Sequence, residues 1–121
     1  MFNVSVQDGR GYLLVVSSGN GRVHPLCASA RFIDELVQRT GARRVLLDMM
    51  ALTPMLNEEE RKEVSMVLYE TIHRLERLAI LMPQAVSLGL LLQAARAKGV
   101  DAKEFDDIAA AERWLKSDTA A

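Results

Sequence analysis

The chain has 121 residues, 50% apolar and 26% charged, with 15 basic and 16 acidic side chains and a net charge of −1. That length fits one domain able to bury a core without disulfides or metal staples, and the near-zero charge argues against nucleic-acid binding or a polybasic membrane patch. A lone cysteine, Cys27, excludes an internal disulfide and fits a reducing cytoplasm.

The first residues lack a basic stretch followed by an apolar one, so no secretory signal is expected. Residues 3–7 and 12–17, NVSVQ and YLLVVS, are rich in β-formers. Asp8-Gly9-Arg10-Gly11 lies between them and predicts a hairpin turn. SSGNGRV then reads as a loop. His24-Pro25 opens a helix, Pro25 suiting the first helical position because its missing N–H would be unpaired there. Leu26, Ala30, Ile33, Leu36 and Val37 recur on one face, and Gly41 ends the helix.

Residues 45–50, VLLDMM, form a continuous apolar run, as in a strand covered on both faces. A loop containing Thr53-Pro54 follows. Asn57 is a good N-cap with Glu60 in capping-box position, and Glu58 and Glu59 suit the positive end of the helix dipole. This helix is expected to reach Leu75, with Val64, Val67, Leu68, Thr71 and Leu75 facing inward.

Residues 77–82, RLAILM, predict a buried strand stopped by Pro83. A helix over 84–98 ends before Gly99, and VDAKEF, residues 100–105, is the last strand. Asp106 or Asp107 caps a final helix with Ile108, Ala111 and Leu115 as its stripe and Trp114 beside it. The apolar stretch 79–95 is interrupted by Pro83, Gln84 and Ser87, which makes it strand, turn and buried helix rather than a membrane span. Residues 117–121 are a small, polar tail expected to fray.

The order is β-β-α-β-α-β-α-β-α in one domain over residues 1–116. It implies an α/β fold with a mixed, mostly parallel sheet of about five strands and about four helices, the opening strand antiparallel at or near an edge. This order, with VLLDMM at its centre, ERLAILM leading into a long helix and EFDDIAAAERWL at the end, resembles the STAS-like or SpoIIAA-like proteins over nearly the whole chain. In particular it resembles their small single-domain bacterial members of the STAS/Sec14-like kind. Order and spacing carry the resemblance rather than any single motif.

The resemblance implies a right-handed superhelix of βα units in a cytoplasmic protein. Family roles are protein–protein regulation, as in anti-sigma factor antagonists, cytoplasmic parts of anion transporters, and lipid or small-ligand binding. In the antagonist branch the loop after the central strand carries Asp-Ser-Ser-Gly, whose serine is phosphorylated. Here Asp48 matches the strand-end aspartate, but MMALTPMLN has neither Asp-Ser nor glycine. Thr53 is its only hydroxyl and precedes Pro54, which biases it to an extended conformation. Asp48 and Thr53 are therefore candidate switch-loop residues, set against the plainer reading of an ordinary strand-to-helix connection.

Other chemistry is sparse. Asp48 has no acid–base companion in the sequence. SSGNGRVH could cradle an anion between strand and helix, but the third glycine of a dinucleotide fingerprint is absent, with His24 in its place. His24 and His73 lack companions at metal-ligand spacing, and Cys27 suits a small core or boundary position. No catalytic set, metal or cofactor is expected.

Surplus apolar residues are more informative. In 84–98, Ala85, Leu88, Leu91, Leu92 and Ala95 supply the core stripe, while Val86, Leu90, Ala94 and Ala97 lie opposite. On the preceding helix Met66, Tyr69 and His73 line a face that should be polar. Met66, Tyr69, His73, Val86, Leu90 and Ala94 make a candidate interface or ligand groove. The expectation is a non-enzymatic regulatory or protein–protein interaction module that meets a protein partner or itself as a homodimer. The alternative is a binder or carrier of a small apolar or amphipathic, lipid-like ligand.

Overall fold

The computed structural model describes residues 1–9, 11–82 and 95–117. Strand β1 (Phe2–Asp8) turns back into β2 (Leu13–Gly21) as an antiparallel hairpin. β2, β3 (Arg44–Pro54), β4 (Arg77–Leu81) and β5 (Asp101–Phe105) are parallel, and the sheet order is β1-β2-β3-β4-β5. Helix α1 (Val23–Thr40) links β2 to β3. Helix α2 (Glu58–Thr71) and a 3-10 turn (Ile72–Arg74) link β3 to β4. Residues 95–97 are helical ahead of β5, and α3 (Ile108–Lys116) follows it. The mixed sheet with an antiparallel edge strand is the architecture expected from the element order; most of the helix expected over 84–98 lies outside the described residues.

Alternation along the strands divides the core between two faces. Leu13, Val15, Val45, Leu47, Leu78 and Ile80 join Val37, Ile72 and Leu75 beneath α1 and α2. Leu46, Ala79 and Leu81 turn the other way and pack with Tyr12 against Ala111, Trp114 and Leu115 of α3. Burial on both sides explains why β3 and β4 read as unbroken apolar runs. Each such side chain contributes about 1.5–3 kcal/mol over leaving it exposed.

Local signals hold at most helix ends. Gly41 takes a left-handed φ of 73° and returns its N–H to the Val37 carbonyl. Asn57 and Glu60 form the reciprocal capping box at 2.8 and 3.0 Å. Asp107 caps α3. Three details differ from expectation. Arg22 is the N-cap of α1, so Pro25 is its third residue rather than its first. α2 gives way to the 3-10 turn before Leu75, which is nevertheless buried. Ile108 is 42% exposed, and Trp114 takes a buried place beside Ala111 and Leu115.

The larger difference is at the carboxyl ends of β2 and β3. The run SSGNG, expected as loop, continues β2, and β3 extends past VLLDMM to Pro54. The two extensions pair from Ser18↔Ala51 to Gly21↔Pro54. Leu52, carried by this arm, is buried with Val23, Leu26, Cys27 and Val64 between α1 and α2. That burial holds weak strand formers extended, and Pro54 is tolerated as the last residue of its strand.

Candidate functional site

The extension of β3 removes the loop in which Thr53 was expected and carries the strand past Asp48, which was expected near its end. Asp48 lies within the strand, opposite Val16 of β2 and Leu81, the final residue of β4. Immediately beyond it the register of β3 against β2 shifts, two residues of β2 spanning three of β3. A bulge of this kind takes one residue out of the ladder. Asp48 Oδ1 accepts the Met50 N–H at 3.1 Å, so the carboxylate satisfies a backbone donor at the bulge. Thr53 pairs with Asn20 in the exposed arm, and the connection to α2 is reduced to residues 55–57. The same extension makes SSGNG a paired strand rather than an anion-cradling loop. His24 is exposed in the first turn of α1, which has no side-chain cap bond.

The outer face of α2 exposes Met66 among charged residues such as Lys62 and Glu70. Met66 is 63% exposed. Tyr69, one turn on, is half-buried with Lys98 Nζ 4.2 Å from its ring centroid. His73 is exposed in the 3-10 turn, its Nδ1 on the Glu70 carbonyl. Met66 and Tyr69 therefore share a face with the segment leading to β5 beside them. Val86, Leu90 and Ala94 lie outside the described residues.

Between α1, α2 and the sheet is an apolar void of about 10 Å³, lined by residues including Ala30, Ile33, Leu68 and Ile72. That is near the minimum for one water and far below the space a lipid chain occupies. Among the described residues no group of three or more His, Cys, Asp or Glu side chains is placed to hold a metal ion, and no helix is long and apolar enough to cross a membrane.

No protein-family model and no curated protein matches the sequence. Solved structures do. An uncharacterized DUF3478-family protein with a SpoIIAA-like fold, from Shewanella loihica PV-4, superposes with a TM-score of 0.65 over 94% of this chain and 93% of its own, at 17% identity. The chain has a SpoIIAA-like fold. An anti-sigma factor antagonist from Mycobacterium paratuberculosis matches at 15% identity with a TM-score of 0.66, over 97% of this chain and 96% of that one. At such identities the likeness is one of fold.

Within this SpoIIAA-like fold two arginines have a role the sequence reading missed. Arg77 is only 2% exposed, and its Nη1 donates to the carbonyls of Trp114 and Ser117, both at 2.7 Å. Arg44 Nη1 donates to the carbonyls of Leu115 and Ser117, and its Nη2 to Glu76 at 2.8 Å. The Arg44 guanidinium holds the Glu76 carboxyl below the usual carboxylate range. Ser117, expected in the frayed tail, is thus bound at the end of α3. The available signal was an arginine heading each apolar strand, in RRVLLD and ERLAIL.

Cys27 is a core residue of the fold, 6% exposed. Burial pushes its thiol pKa up, the Glu63 carboxylate adds to the rise and Arg31 opposes it. A protonated, enclosed thiol is a poor nucleophile.

Proposed function

We propose that the chain is a non-enzymatic regulatory module that acts by binding another protein through the outer face of α2. The observation that carries this is Met66, a flexible apolar side chain 63% exposed in the middle of α2, next to a tyrosine that is only half-buried. Methionine adapts to an incoming surface, and tyrosine is enriched among the residues that dominate binding energy. The end-to-end likeness in fold to an anti-sigma factor antagonist supports the same reading, since such an antagonist acts on another protein.

A photo-crosslinking residue at position 66 of the full chain, in the cells that make it, tests this. It is expected to yield a discrete protein adduct that Tyr69→Glu abolishes. The same probe at Arg113, exposed on α3 across the sheet from α2, is expected to yield none. Absence of an adduct from position 66, or identical adducts from both positions, removes the α2 face as the binding surface.

A further inference from the structure

The two edges of the sheet are finished differently. At β5, Arg96 Nε and Nη2 both donate to the Ala102 carbonyl, at 3.1 and 2.8 Å, and Asp101, Lys103 and Glu104 set charge along the strand. Capping groups and charges are the means by which natural sheets blunt an edge. β1, with the sequence FNVSVQD, is seven residues long and has no proline, no basic residue and no charge before its last position. Its register against β2 is unbroken.

Two bonds establish which backbone groups of β1 face away from β2. The Asn20 N–H donates to the Met1 carbonyl and the Gly9 N–H to the Tyr12 carbonyl, each at 2.9 Å. Because an antiparallel ladder alternates, the odd-numbered residues of β1 bond to β2. The N–H and C=O groups of Phe2, Val4, Val6 and Asp8 point away from it.

We propose that this edge is occupied by β1 of a second copy, paired antiparallel about a two-fold axis through Ser5. In that register Phe2 faces Asp8 of the other copy, Asn3 faces Gln7 and Val4 faces Val6. Every outward-bonding residue meets an outward-bonding residue. The amide side chains meet on one surface, the valines on the other, and no like charges are opposed. Pairing with β5 of another copy would instead set β1 against the charged strand and the carbonyl held by Arg96. It would also build an open head-to-tail array rather than a closed dimer.

The surface beside the edge supports the same partner. Asp34, 3.5 Å from Arg74, marks the flank of α1 that faces α2. At about 100° per residue, Leu36 falls on the opposite flank, toward β1, and Phe32 lies one turn earlier and farther round toward solvent. Leu36, Val4 and Val6 are half-buried against one core cluster, and Phe32 is 47% exposed. The two-fold axis brings this unfinished apolar rim against its own copy. The dimer goes beyond the α2 reading and does not depend on it.

Ser5 supplies the test. Its side chain is exposed, so substitution there spares the core of the single chain. At the axis it would oppose its copy with Cβ atoms about 4.5–5.5 Å apart, close to the reach of a disulfide. Native mass spectrometry of the full chain at micromolar concentration is expected to show a species near twice 13.4 kDa. Ser5→Lys, which opposes two charges across the axis, is expected to return the monomer. In a Cys27→Ala background, Ser5→Cys is expected to give a covalent dimer on mild oxidation, whereas Gln7→Cys, displaced from its own copy, stays unlinked. A monomeric parent chain, a dimer that survives Ser5→Lys, or a Ser5→Cys chain that does not link overturns the proposal. Crosslinking from position 66 is read on the same Ser5→Lys chain, so loss of the dimer and loss of the α2 partner are separate results.

Discussion

Arg44 and Arg77 stand opposite each other on β3 and β4, and both donate a hydrogen bond to the carbonyl of Ser117, at 3.0 and 2.7 Å. Arg77 also lies 5.4 Å from the centroid of the Trp114 ring. The last carbonyls of a helix lack intrahelical partners and form the negative end of its dipole. Two guanidinium groups from adjacent strands meet that need and close α3 onto the sheet. A lysine would bring the charge without the planar fork.

Arg77→Met is therefore expected to cost about 2–4 kcal/mol, from lost charge-assisted bonds and carbonyls left unpaired. Arg44→Met, at a more open position, should cost about 1 kcal/mol. Because both donate to Ser117, the double variant should depart from the sum of the two. Urea unfolding of the three variants measures this, and an Arg77→Met chain as stable as its parent would refute the clamp.

Gly19 takes a φ of 93° within β2, and a Cβ there would stand 1.9 Å from the Met1 carbonyl oxygen. Gly19→Ala should cost about 2–3 kcal/mol, since backbone strain adds to the displacement of the chain's first residues. Gly41→Ala, at a φ of 73° with no atom within 4 Å of the new methyl group, should cost only about 1 kcal/mol. Hydrogen exchange should show protection lost at the start of β1 in the first variant alone.

Arg44 lowers the folded-state pKa of Glu76. A carboxyl depressed in the folded state contributes stability that is present above its unfolded pKa, about 4.3, and is lost as pH falls through the folded value. Glu76→Gln should accordingly flatten the acid side of the stability profile and leave its slope near neutrality unchanged. Urea midpoints at a series of pH values read this directly.

The buried Cys27 thiol, its pKa raised by enclosure and by Glu63, should react with a thiol reagent at pH 8 at least about tenfold more slowly in the folded chain than in urea. Equal rates in the two states would mean that α1 opens readily over this site.

The sequence by itself determined the elements whose signals are local or periodic. The continuous apolar runs of β3 and β4, the Asn57–Glu60 capping box, the Gly41 stop and the hairpin at Gly9 each follow from chemistry within a few residues. Met66 was also legible as an apolar residue on a polar face. The tertiary structure decided what depends on partners distant along the chain. SSGNG and ALTP are weak strand sequences, and they become strand by pairing with each other and burying Leu52 between two helices. That converts Thr53 from a loop residue into a strand residue, carries the strand on past Asp48, and leaves the Asp48 carboxylate a backbone N–H to hold at the bulge. Arg44 and Arg77 likewise read as charges flanking strands until parallel pairing set them side by side beneath the carbonyl end of α3. A buried cation and an extended arm each take their stability from groups that only the folded chain brings within hydrogen-bonding distance.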